Sequence, residues 1–169
     1  MSPETAEWVR AQNLVTFDYL EQIPYRDKIR DRLEELWDYP RMSAPSRKGD
    51  HYFYSYNDGL QNQDVIYKTQ DYNEKGEVFL DPNSFSDDGT VALTVLSISS
   101  DGKYAGYGIS RGGSDWNEFF VKEVESGEVL DDHLKWIKFS TLSWYNEGFF
   151  YSRYPSPEEA GDSKLSGVN

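Results

Sequence analysis

From residue 50 onward this chain is cut into eight short β-type runs, none longer than nine residues, and that segmentation constrains its fold more than any other feature. The runs are HYFYSY (51–56), DVIYKT (64–69), EVFL (77–80), VALTVLSIS (91–99), YAGYGIS (104–110), NEFFVKEV (117–124), WIKFSTLSW (136–144) and FFYSRY (149–154). Asn57-Asp58-Gly59, Asp87-Asp88-Gly89, Ser100-Asp101-Gly102 and Glu125-Ser126-Gly127 supply turn signals between them. Such short connections predict consecutive antiparallel hairpins, because a parallel return needs a long crossover. The pattern also repeats. LSISSDGKYAGY starts at Leu96 and LSWYNEGFFYSR at Leu142, an offset of 46 residues, with a weaker echo in RKGDHYFYSY at 47–56. A period in the forties with about four strands in each is the signature of a β-propeller blade. The other reading of the same periodicity is a meander whose hairpins happen to resemble one another.

A propeller ring closes with at least ~4 blades. This chain holds two and the start of a third, and its tail, PSPEEAGDSKLSGVN, is polar with no closing strand. The expectation is therefore a segment of something longer. The first forty residues differ in texture and read as helical. Ser2-Pro3-Glu4 predicts an N-cap, a proline at the first helical position and an acidic first turn. Trp8, Ala11, Val15 and Tyr19 follow at helical spacing until Pro24 breaks the pattern. A second helix is expected in YRDKIRDRLEELWDY, with Ile29, Leu33, Leu36 and Trp37 on one face, closed by Pro40 and Pro45.

Composition narrows the partners. Thirty acidic against seventeen basic side chains leave a net charge of −13, so nucleic acid and anionic membranes are disfavoured as partners. With no cysteine there are no disulfides, no thiolate catalysis and no Cys-ligated zinc, which suits a reducing compartment. The polar, acidic start MSPETAEWVR is unlike a signal peptide, and no apolar run approaches the ~20 residues of a membrane span. A soluble cytoplasmic protein without a cofactor is expected.

Several motifs offer candidate chemistry. Gly108-Ile109-Ser110-Arg111-Gly112 fits the G-x-S-x-G pattern of a serine nucleophile. An elbow needs a helix after the serine, however, and Gly112-Gly113-Ser114-Asp115 reads as a hairpin loop leading to another strand. His51 and His133, the only histidines, cannot be placed beside Ser110 by spacing. The hairpin reading is preferred. DPNSFSDDG (81–89) has the composition of a calcium loop but carries Phe85 where a ligand belongs, and reads as a polar connection. Gly106-Tyr107-Gly108 lacks the third glycine and the βαβ setting of a dinucleotide site. Asp87-Asp88 and Asp131-Asp132 read as solvated turn residues, and Phe149-Phe150-Tyr151 as core.

QIPYRDKIRDRLEELWDYPR (22–41), YNDGLQNQDVIY (56–67), LDPNSFSDDGTVAL (80–93), GGSDWNE (112–118), WIKFS (136–140) and FFYSRYP (149–155) resemble the N-terminal part of the prolyl oligopeptidase family, from about Glu7 to Pro155. The resemblance implies a mainly β chain with an N-terminal helical segment. It would be a partial β-propeller, the first two to three blades of seven, preceded by the N-terminal helices of an α/β-hydrolase catalytic domain. The boundary is expected at residues 1–45 for the helical piece and 46–169 for the propeller.

Members of that family are serine peptidases that cleave short peptides after proline. The resemblance places their Ser, Asp and His in a C-terminal hydrolase portion, so no catalytic residue is expected here. The propeller would cover the active site and admit only oligopeptides. Two motifs carry over by position. Phe139, in Lys138-Phe139-Ser140, matches an aromatic wall of an outer apolar substrate subsite. Asp115, in the Gly-Ser-Asp-Trp loop with Trp116 beside it, matches an aspartate facing the central cavity. The expected partners are proline-containing oligopeptides and the C-terminal hydrolase portion of the same protein. WYNEGF (144–149) is shorter than the family's usual hairpin, leaving the register of the third blade open. A stand-alone β-rich peptide- or protein-binding module is the competing hypothesis.

Overall fold

The computed structural model describes residues 2–160. Their contacts divide into two units, one up to Tyr39 and one from Pro40. The first unit holds helices α1 (Pro3–Glu21) and α2 (Arg26–Trp37). Ser2 caps α1 as its sequence predicts, its hydroxyl accepting from the Thr5 N–H at 3.2 Å with Pro3 following in the first turn. Neither helix buries a residue, and Trp8, Val15, Leu33 and Trp37 all lie exposed. No helix among the described residues is long and apolar enough to cross a membrane.

The second unit is made of antiparallel sheet. In the first sheet, β3 (His51–Asn57) pairs on one side with β1 (Arg41–Met42) and β2 (Ser46–Lys48), and on the other with β4 (Val65–Thr69), followed by β5 (Glu77–Leu80). Pro45 separates β1 from β2 because it has no N–H to give to a ladder. The second sheet is a plain meander of β6 (Val91–Ile98), β7 (Tyr104–Arg111), β8 (Asn117–Glu123) and β9 (Val129–Ile137). A third begins with β10 (Ser143–Tyr145) and β11 (Gly148–Phe150). These are a five-stranded and a four-stranded blade and the opening hairpin of another. The repeat persists in atomic detail: Ser43 Oγ accepts from Ser55 N at 2.9 Å, and Ser140 Oγ accepts from Ser152 N at 2.9 Å.

The sheets stack on apolar faces, as blades must. Phe53, Phe79 and Leu80 of the first meet Val91, Ala105, Tyr107, Ile109 and Val124 of the second. Phe119, Ile137 and Leu142 form a second cluster, joined by Phe149 of β11. The glycines of YAGYGIS exist for this packing. A Cβ on Gly106 would lie 2.6 Å from Leu142, and one on Gly108 would lie 2.7 Å from the Phe119 ring. Polar side chains stitch the same joints. The Gln63 amide donates to Val91 O at 2.9 Å and accepts from Leu93 N at 2.8 Å, so one side chain occupies the edge of β6 as a neighbouring strand would. Lys122 donates to Phe79 O at 2.9 Å, Lys68 donates to Val124 O, and Trp144 Nε1 donates to Ser97 O at 2.9 Å.

Three local expectations are corrected. The run WIKFSTLSW is not one strand: β9 ends at Ile137 and β10 starts at Ser143, because Trp136 and Phe139 adopt left-handed backbone (φ 63° and 55°) that turns the chain away. Asp131 and Asp132 belong to β9 rather than a turn, since an edge strand tolerates charges on its solvent face. In the aromatic run only Phe149 joins the core, while Phe150 is 68% exposed, the period-2 alternation of a strand placing neighbours on opposite faces. The short 144–149 hairpin settles into one register, Trp144 opposite Phe149 and Tyr145 opposite Gly148, with Asn146 at φ 52° in a two-residue turn.

Candidate functional site

Ser110 lies within β7, 8% exposed, paired with Ala92 and Asn117 on its two sides. After it the chain makes a turn, Ser114 N donating to Arg111 O at 3.1 Å, and enters β8. No helix follows, so no nucleophile elbow forms. His133 is engaged elsewhere, its Nε2 sitting 2.6 Å from Glu118 Oε2. The residues of DPNSFSDDG hold turns: the Asp81 carboxylate accepts from Asn83 N at 2.9 Å and that of Asp88 from Thr90 N at 3.0 Å.

The three residues singled out by motif, Asp115, Trp116 and Phe139, meet at one end of the second blade. The β7–β8 loop positions two of them. Trp116 N donates to Ser114 Oγ at 3.1 Å, and Asn117 Nδ2 donates to Asp115 O at 2.9 Å, while Asn117 is itself held by Thr94 Oγ1 at 2.6 Å. The Trp116 ring stands edge-on to Trp136 (6.0 Å) and Tyr154 (5.5 Å), an arrangement that fixes a large side chain without full burial. Tyr154 N in turn donates to Trp136 O at 2.8 Å.

Phe139 comes from the segment that leaves β9. Ile137 is fully buried and anchors that segment, and the left-handed residue two positions later aims Phe139 outward, 82% exposed. A large aromatic held in solvent by an uncommon backbone conformation has no packing rationale among the described residues. Lys138 connects the two loops. Its ammonium lies 3.3 Å from Asp115 Oδ2 and 5.4 Å from the ring centres of both Trp116 and Phe139.

Beside this cluster is an open groove of about 340 Å³, lined by Arg111, Ser114, Trp116, Asn117, Glu118, Lys135 and Trp136. Glu118 bridges Arg111 (Nε to Oε1, 3.1 Å) and His133, whose ring stacks on Phe120 at 4.6 Å. Burial alone would raise the Glu118 carboxyl, but the hydrogen bonds from His133 and Arg111 outweigh it and hold the group below the ordinary carboxylate range. Sequence reasoning gave no role at this site to Lys138, Arg111, Glu118 or His133. A signal existed for part of it: Ile109 pairs with Glu118 and Phe120 with His133, so Arg111 and His133 are diagonal neighbours of Glu118 on one sheet face. Recovering it required the register of both ladders.

Comparison with known proteins bears on this arrangement. The family model described as "Prolyl oligopeptidase, N-terminal beta-propeller domain" matches residues 1–169. A prolyl endopeptidase of Elizabethkingia meningoseptica is 46% identical over 166 residues, covering 98% of this chain and 23% of the relative. Prolyl oligopeptidase A of Amanita bisporigera is 38% identical over 191 residues, covering 99% of this chain and 24% of the relative. Among solved structures, prolyl oligopeptidase B from Galerina marginata bound to a 25mer macrocyclization substrate superposes with a TM-score of 0.81 at 30% identity, covering 92% of this chain and 25% of that one. The chain thus spans about a quarter of the length of these relatives.

Proposed function

This chain belongs to the prolyl oligopeptidase family, matching the N-terminal β-propeller region of its members, and from that premise we propose that it forms part of a serine peptidase that hydrolyses short peptides after proline. In this reading residues 1–45 are the N-terminal piece of the catalytic α/β-hydrolase domain and residues 46–169 begin a seven-bladed propeller. The nucleophile, its base and the oxyanion donors belong to the C-terminal hydrolase portion, the partner of this segment. The propeller blades restrict entry to unstructured oligopeptides. Phe139 forms the apolar wall of an outer substrate subsite, and Asp115 and Trp116 flank it. The lack of cysteine suits action in the cytoplasm.

The observation that carries this reading is Phe139, exposed in a left-handed conformation beside Asp115, Trp116 and Lys138. The competing idea of a self-contained binding module is disfavoured by the family match, which runs over residues 1–169. The test is Phe139→Ala in the complete peptidase. KM for peptides long enough to reach the outer subsite rises about three- to tenfold while kcat is nearly unchanged, the signature of lost binding without lost chemistry. An unaltered KM removes Phe139 from substrate contact. The 169-residue chain alone shows no cleavage sensitive to a serine-directed inhibitor; such cleavage would reinstate Ser110.

A further inference from the structure

We propose that Lys138 is a positioning residue that sets the charge selectivity of the outer peptide subsite, holding Asp115, Trp116 and Phe139 together and masking the Asp115 carboxylate. This rests on the peptide-binding reading of those three residues.

The geometry points this way through asymmetry of exposure. The Lys138 side chain is 14% exposed, while its partner Asp115 is 61% exposed. An ordinary surface ion pair orders two free side chains and gains little. Here the lysine stem is already covered, so its ammonium is delivered to a set position and the entropic penalty is largely met by packing. From that position it faces the Asp115 carboxylate and the Trp116 and Phe139 rings, each ring within the range where a cation is drawn to it. Asp115 and Trp116 belong to the β7–β8 loop and Phe139 to the segment after β9, so one side chain ties two loops. It also restrains Phe139, whose φ of 55° needs support from its surroundings.

The consequence concerns what a peptide meets. With Lys138 in place, Asp115 presents half of an ion pair beside an apolar wall. Replace the ammonium by an uncharged group and Asp115 becomes a bare anion at the same spot. Basic side chains at the residue entering the subsite are then favoured and acidic ones opposed.

The experiment compares two prolyl peptides that differ only in carrying Lys or Glu at the residue reaching this subsite. The readout is their ratio of kcat/KM in the complete peptidase. Being a ratio within one preparation, it is insensitive to loss of folded protein. Lys138→Met, which keeps the stem, raises the Lys:Glu ratio about three- to tenfold, as an unmasked charge a few ångström away dictates. Lys138→Arg retains the starting ratio, since a guanidinium both pairs with a carboxylate and stacks on rings. Adding Asp115→Asn to Lys138→Met cancels the shift. An unchanged ratio in Lys138→Met overturns the proposal, as does a shift that survives Asp115→Asn. If the unsubstituted protein cleaves neither peptide, the peptidase reading itself fails and carries this role with it.

Discussion

Gln63 shows how one side chain can replace a strand. Its amide donates and accepts toward Val91 and Leu93 as backbone would, and its own N–H is held by Asn83 Oδ1 at 2.9 Å. Gln63→Leu leaves those edge groups unpaired at a partly buried joint, so it lowers stability by about 1–3 kcal/mol, measurable by urea unfolding of the domain. Glu118 makes a pH-dependent contribution. Its carboxyl is held low in the folded state, so the stabilisation is present above the unfolded value near ~4.3 and is lost as pH falls through the folded value. The melting temperature of the unsubstituted domain therefore falls more steeply as pH drops below about 4.5 than that of Glu118→Gln. Parallel curves would detach Glu118 from acid stability. Neither residue was legible in advance: a glutamine and a glutamate in polar stretches acquire roles only from what lies across the sheet.

The segment from β9 to β10 is where element-level reasoning erred and where the candidate site lies, for one reason. WIKFSTLSW has the composition of a strand, and local propensity takes no account of a reversal forced by tertiary packing. Ile137 goes into the core with Phe119 and Leu142, and the flanking residues take left-handed φ to permit it. Ile137→Ala should therefore act twice. It opens a cavity costing about 2–5 kcal/mol, seen in denaturant unfolding, and it frees Phe139 to wander, seen as a raised KM for long peptides in the complete peptidase. Loss of stability with KM untouched would show that Phe139 is held by Lys138 and its neighbours instead. By contrast, β3, β5 and β7 begin where the sequence pattern predicts, and so do the turns at Gly89 and Gly102. Their signals are local: aromatic and β-branched runs stopped by residues that accept positive φ.

For the molecule as a whole, repetition is what made the architecture readable. Blades stack through equivalent faces, so equivalent positions recur along the chain, as the Ser43–Ser55 and Ser140–Ser152 bonds record for the first and third sheets. The apolar residues of α1 and α2 raise a different expectation. With Trp8, Val15, Leu33 and Trp37 exposed, the isolated 169-residue chain should bind a hydrophobic dye or self-associate. Leu33→Lys with Trp37→Lys should reduce the signal, checked by dye fluorescence and light scattering. A monodisperse, dye-silent parent chain would overturn that expectation.

The string of residues was sufficient to establish hairpins, their blade-like recurrence and two helices, the first capped by Ser2, because periodicity, capping and turn chemistry act over a few neighbours. Asp115, Trp116 and Phe139 were singled out by resemblance to the family. Convergence of those three on Lys138, the Glu118 bridge between Arg111 and His133, and the outward thrust of Phe139 came from folding alone. Their partners are fixed by strand register and by which face each sheet turns to the next, and no local pattern encodes either.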